Sequence, residues 1–141
     1  MPISVSEIME ILPHRYPFLL IDQVMSKPAE LASGKLTAIK NVTTNDTVVF
    51  GEFYPPLLLL ESMAQASGIL AHYYLSPMSE DQRCYFASIK NARFYDVVKA
   101  GDQLLIEIQF CRQRRTIVSF SGTVKIGEKI VCTSEFMCAR Q

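Results

Sequence analysis

The chain has 141 residues, of which 49% are hydrophobic and 20% charged, and its 14 basic and 14 acidic side chains give a formal net charge of zero. That length supports one domain with a real core, expected over residues 1–141. The balanced charge argues against nucleic acid as the main partner, because phosphate binding needs a surplus of Lys and Arg.

Ser4-Val5-Ser6-Glu7 is a capping-box pattern ahead of Ile8, Ile11 and Leu12, and predicts a short helix stopped by Pro13. No secretory leader is expected, since Met1 to Leu12 carries Glu7 and Glu10 and lacks a basic start. After His14-Arg15-Tyr16-Pro17, the apolar run Phe18 to Val24, broken by Asp22, predicts a strand continuing towards Ser26. Lys27 to Gly34, with Pro28 and Gly34, predicts a turn region. Lys35 to Val42 alternates Leu36, Ala38 and Lys40 against Thr37 and Ile39, and predicts a strand antiparallel to the first. Thr43-Thr44-Asn45-Asp46 is turn chemistry, and Val48 to Phe53 is a short apolar approach to the next element.

That element is Pro55 to Leu75, which predicts one long helix opened by two prolines and closed by Pro77. At about 1.5 Å per residue it spans roughly 30 Å. It is apolar on nearly every face, so it is expected to be buried on every face. Glu61, Ser62, Gln65, Ser67 and His72 interrupt it too often for a membrane span. A carboxylate such as Glu61 is costly there unless it is paired, protonated or used. Gln65, one turn on, is placed to hydrogen-bond it.

Ser76 to Gln82 reads as a polar loop, and the rest as strands. Arg83 to Phe94 alternates loosely, and Ala100-Gly101-Asp102 is a turn. Leu104, Ile106, Ile108 and Phe110 share one face of Gln103 to Cys111. Val118, Phe120, Val124 and Ile126 share one face of Thr116 to Ile126, with Gly122 between them. Gly127-Glu128 is a two-residue hairpin turn, and Ile130, Cys132, Phe136 and Cys138 return on the last strand. One long apolar helix and one antiparallel sheet bury each other if the sheet curls around the helix, an α+β arrangement with a short N-terminal helix. Cys84, Cys111, Cys132 and Cys138 form no CxxC, and neither histidine lies at metal-ligand spacing from them. They are expected to be reduced thiols in a cytoplasmic protein without a metal or other cofactor.

Leu12-Pro13-His14-Arg15-Tyr16-Pro17-Phe18-Leu19-Leu20-Ile21-Asp22 resembles the N-terminal signature of the (3R)-hydroxyacyl-acyl-carrier-protein dehydratases of fatty-acid synthesis, the FabZ type. Glu61-Ser62-Met63-Ala64-Gln65-Ala66-Ser67-Gly68 resembles the helix signature of that family. Asn41-Val42-Thr43, Gly51, Phe53, Ala92-Arg93-Phe94 and Gly101-Asp102-Gln103-Leu104 fit its other segments. The resemblance implies the hot-dog fold, a curved antiparallel sheet wrapped around one central helix. It implies a homodimer joined sheet edge to sheet edge, often assembled into a hexamer as a trimer of dimers. It also implies active sites at the dimer interface, each using a histidine from one subunit and a helix glutamate from the other.

The glutamate corresponds to Glu61. Where the family has Gly-His-Phe-Pro, this chain has Gly51-Glu52-Phe53-Tyr54-Pro55, so Glu52 stands at the histidine position. The family's Pro-Gly loop ahead of the helix, whose glycine N–H binds the thioester oxygen, is several residues shorter here. Dehydrating a 3-hydroxyacyl thioester needs a base for the proton beside the carbonyl, an acid for the departing hydroxyl and donors for the enolate-like oxygen. Glu61 is the candidate acid and Glu52 a candidate base, since two carboxylates in unlike environments can divide those roles. His14 and His72 are not expected to replace the histidine. Gln65, Phe53, Tyr54, Phe94 and Tyr95 are candidate substrate contacts, and Arg112, Arg114 and Arg115 a candidate docking rim for an acidic carrier protein. Three functions follow: a divergent dehydratase of acyl-carrier or CoA thioesters, a thioesterase using Glu61, or a non-catalytic acyl-binding subunit paired with a catalytic hot-dog partner.

Overall fold

The computed structural model describes residues 2–47, 51–77 and 84–141. Part of the expected Val48-to-Phe53 approach and most of the Ser76-to-Gln82 loop lie outside them. The elements in chain order are α1 (Val5–Ile11), β1 (Gln23–Val24), α2 (Pro28–Ala32), β2 (Lys35–Asn41), α3 (Thr44–Thr47), α4 (Pro56–Tyr74), β3 (Cys84–Phe94), β4 (Gln103–Arg114), β5 (Ile117–Ile126) and β6 (Lys129–Arg140). The strands form a six-stranded antiparallel sheet in the order β1-β2-β4-β5-β6-β3.

α1 begins as the capping box requires: the Ser4 hydroxyl accepts from the Glu7 N–H, and the Glu7 carboxylate accepts from the Ser4 N–H. The expected strand from Phe18 shrinks to Gln23–Val24, paired with Ile39 and Ala38. The reason lies further along the chain: the Leu20 N–H and the Phe18 carbonyl bond to the Gln65 side chain instead of to a strand. The expected turn over Lys27 to Gly34 contains α2. Pro28 sits at its first position and the Glu30 carboxylate accepts from the Lys27 N–H, which together are helix-start chemistry. Gly34, at φ +83°, ends it. Thr43 to Asp46, expected as a turn, runs into α3.

α4 packs on β4, β2 and β5, and α1 and α2 also touch it. Leu59, Met63, Ala66, Ile69 and Leu70 are buried in this contact with Leu36, Ala38, Leu104, Ile106, Ile108, Val118, Phe120 and Val124. Gly122 lets the layers approach: a Cβ there would lie 2.5 Å from the Met63 Sδ. The expected all-round burial of α4 is not met: Leu57 is 71% exposed, and His72 and Tyr73 also face outward. The last strand departs from its expected alternation as well. Val124 pairs with Cys132 but Lys125 with Ile130, so Val131 is an extra, bulged residue. The bulge turns Val131 inward and leaves Ile130 44% exposed. β3 forms one edge of the sheet and exposes Tyr85, Phe86, Ile89 and Phe94.

Lys40 keeps the inward phase of Leu36 and Ala38 and is buried, where an unpaired ammonium would be costly. Its Nζ donates to Asp46 Oδ1 at 3.1 Å, and Asp46 Oδ2 accepts from the Thr43 N–H at 2.8 Å and the Thr43 hydroxyl at 3.0 Å. Burial alone would raise the Asp46 carboxyl, but the Thr43 donors and the Lys40 charge outweigh it and hold it below its ordinary value. A carboxyl depressed in the folded state contributes stability above its unfolded pKa and loses it as pH falls through the folded one. Asp46→Asn is therefore expected to lower the urea midpoint at pH 7, with the gap to the wild type closing as the pH falls below about 4. A gap of constant size down to pH 3 would contradict this pairing.

Candidate active site

The candidate site is built around Glu61 by two elements, the first half of α4 and the chain between α1 and β1. Gln65 is the joint between them. It is 2% exposed, and each side of its amide is used. Its Oε1 accepts from the Leu20 N–H at 2.8 Å, and its Nε2 donates to the Phe18 carbonyl at 2.8 Å and to Glu61 Oε1 at 3.1 Å. The backbone partners leave the amide one orientation, because an N–H needs the oxygen and a carbonyl needs the nitrogen. So an N–H, not a carbonyl, faces Glu61.

A second nitrogen meets the same oxygen. His14 Nε2 lies 3.4 Å from Glu61 Oε1, long for a hydrogen bond but within ion-pair reach, with the two side chains 28% and 24% exposed. The Nδ1 of His14 is buried without a hydrogen-bond partner among the described residues. The segment carrying His14 is fixed from both ends. The Arg15 guanidinium donates to the carbonyls of Met9, Leu12 and His14 at 3.0, 2.9 and 2.7 Å, and Gln65 holds Phe18 and Leu20. Sequence reading assigned His14 to a structural signature and missed this contact. The available signal was that it is one of only two histidines, three residues beyond a capped helix that ends at Ile11.

The other candidates are spread more widely. Glu52 is exposed beside Gly51, which sits at φ +86°. Phe53 bridges to Lys99 and is exposed, while the Tyr54 N–H donates to the Val98 carbonyl at 2.7 Å. Tyr54, expected as a substrate contact, belongs to the core. Its hydroxyl makes no well-aligned hydrogen bond among the described residues. Burial pushes that hydroxyl up to about 12; the nearby Ser62 hydroxyl acts against this, and Asp46, Asp22 and Glu61 reinforce it. Gln65, another expected substrate contact, is a buried clamp with its amide already engaged. Phe94 and Tyr95 are exposed at the end of β3, away from the α4 contacts with β2, β4 and β5. Arg112, Arg114 and Arg115 gather at the β4–β5 hairpin, where Arg115 and Arg140 line a cleft of about 180 Å³ with Ser76, Pro77, Gln113 and Thr116. At the start of α4, Pro55 and Pro56 carry no N–H, so the helix offers no backbone donor before Leu57.

An antiparallel sheet packed on one long helix is the hot-dog arrangement, and solved structures agree. The dehydratase heterocomplex ApeI:P from Xenorhabdus doucetiae matches with a TM-score of 0.77 over 95% of this chain and 90% of that one, at 17% identity. A mutant thioesterase from Pseudomonas aeruginosa matches with a TM-score of 0.74 over 97% of this chain and 93% of that one, at 12% identity. These likenesses establish the fold alone. The sequence goes further: a family model described as a FabA-like domain matches residues 12–135. A 3-hydroxyacyl-acyl-carrier-protein dehydratase FabZ from Aeromonas hydrophila subsp. hydrophila is 43% identical, over 99% of this chain and 94% of that protein. The chain belongs to the FabZ/FabA-like hot-dog dehydratase family. Among the described residues, no helix is long and apolar enough to cross a membrane.

The clamp makes a direct stability test. Gln65→Leu removes the partner of the buried Leu20 N–H, which costs about 1–3 kcal/mol when unmet, and the partner of the part-buried Phe18 carbonyl, which water can replace. Urea unfolding is expected to show a loss of roughly 1–3 kcal/mol, with faster amide exchange at Leu20. A loss under about 0.5 kcal/mol, the scale of an ordinary surface change, would contradict the role given to this amide.

Proposed function

We propose that the chain binds acyl thioesters of acyl-carrier protein or CoA, with 3-hydroxyacyl chains as the substrate class, and that Glu61 is the group that works on them. The observation carrying this reading is Glu61 itself: a half-buried carboxyl on an otherwise apolar stretch of α4, held by a fully engaged amide. A side chain kept there at a desolvation cost, with partners on one oxygen, is suited to proton transfer. The named relative, a dehydratase, supplies the substrate class.

Conventional dehydration is the part this chain has altered. Glu52 occupies the position of the family histidine, and Pro56 removes a donor from the helix start where a developing oxyanion needs one. Dehydration here is therefore slow, with Glu52 of one subunit as the makeshift base opposite Glu61 of the next. The exposed apolar edge of β3 fits that arrangement, since a long hydrophobic edge strand is a template for pairing with a second copy. The arginine hairpin of β4–β5 suits an acidic carrier, and the free thiols suit a cytoplasmic setting. Hydrolysis by Glu61 is the second reading, favoured by the thioesterase among the fold neighbours. A non-catalytic subunit in a mixed assembly is the third, favoured by the neighbour described as a dehydratase heterocomplex.

One set of assays separates these. The purified protein is given 3-hydroxyacyl and saturated acyl thioesters, and water loss, thiol release and binding are followed. Wild-type protein is expected to bind the thioester and turn it over slowly, with Glu61→Gln lowering kcat by at least about 100-fold and Glu52→Gln by about tenfold. Thiol release without water loss would replace dehydration by hydrolysis. Binding without turnover, from a protein isolated with a second hot-dog chain, would support the third reading. Turnover unaffected by Glu61→Gln, or no thioester binding at all, would overturn the proposal.

A further inference from the structure

The proposed function assigns Glu61 the chemistry but leaves unexplained why a histidine whose buried Nδ1 has no hydrogen-bond partner among the described residues sits beside it. His14 and Gln65 lie on different elements, yet both direct a nitrogen at Glu61 Oε1, at 3.4 and 3.1 Å. A carboxyl held by one donor can still rotate about its last bond. Two nitrogens from separate elements on one oxygen, one a hydrogen-bond donor and the other at ion-pair distance, restrict that rotation and leave Oε2 outside both contacts. Neither donor is free to drift. Gln65 is fixed by Phe18 and Leu20, and His14 follows Leu12, whose carbonyl Arg15 holds. The Phe18 ring flanks the imidazole, with centroids 6.1 Å apart.

We infer that His14 is the positioning residue of Glu61: its Nε2–H and the Gln65 amide fix the carboxyl by Oε1 and present Oε2 to the acyl chain, within a single subunit. The inference rests on the reading of Glu61 as the working carboxyl. His14 does not itself meet the substrate. Its effect is carried through the orientation of the carboxyl, which is why the required property is an N–H at the Nε2 position rather than an imidazole as such. A side chain that places an amide N–H there should serve in its stead.

The kinetic test compares His14→Leu with His14→Gln in otherwise intact protein, with thermal unfolding run on both. His14→Leu is expected to lower kcat by at least about tenfold while KM stays within about twofold, as loss of orientation rather than of binding does. His14→Gln is expected to recover most of that loss. Unchanged kcat in His14→Leu, or a Gln variant no better than the Leu variant, would overturn the inference.

A second measurement reads the pair without turnover. In ¹⁵N-labelled His72→Gln protein, His14 is the one remaining histidine. Its Nε2–H proton is expected as a slowly exchanging resonance, retained in the wild-type Glu61 background and lost in Glu61→Leu. Absence of that resonance with Glu61 in place would overturn the pairing, whatever the activity. Its presence in a protein that neither binds nor converts thioesters would instead sink the proposed function.

Discussion

The buried amide of Gln65 is the contact on which the site depends. It joins the long helix to the segment before the first strand through two hydrogen bonds, with the Leu20 N–H and the Phe18 carbonyl, and a third returns to Glu61 on its own helix. Two of those partners are backbone groups, and one of them, the Leu20 N–H, would otherwise be stranded in the core. Because they fix the amide, the third bond is fixed too, and Glu61 meets a donor. The chain before β1 thereby gives up strand pairing and becomes a wall of the site, which brings His14 to the carboxyl.

The layout beneath was legible because it follows from periodicity. Leu104, Ile106 and Ile108, and Val118, Phe120 and Val124, alternate cleanly and line the face that receives α4. Ser4 and Glu7 announced the first helix, and the two prolines marked the start of the long one. Gly122 holds the inward phase of β5 between Phe120 and Val124, and its purpose is contact: Met63 fills the space its missing side chain leaves.

What was not legible depended on partners distant in sequence. Phe18 to Asp22 has strand composition, but its Phe18 carbonyl and Leu20 N–H are claimed by a side chain more than forty positions on. Ile130 has the right phase until a bulged Val131 shifts it, and bulges have no periodic signature. Pro28 was read as punctuation, whereas with Glu30 it opens a helix. Of the candidate site, Glu61 stood out because a carboxyl on an apolar helix is anomalous. His14 was not, because only the folded chain shows where its ring goes. Tyr54, a candidate substrate contact on sequence alone, lies in the buried core.

The proposed chemistry joins a retained half and a rewritten half. Glu61 keeps a held carboxyl, while Glu52 and Pro56 change the approach to its helix. The central claim is that Glu61 still addresses an acyl thioester. The most direct measurement is a crystal structure with a non-hydrolysable 3-hydroxyacyl thioester analogue. The expected result is the analogue's hydroxyl or carbonyl oxygen within about 2.6–3.2 Å of a Glu61 carboxyl oxygen, with His14 and Gln65 still on Oε1. An analogue bound away from Glu61, with the carboxyl facing only protein, would contradict it.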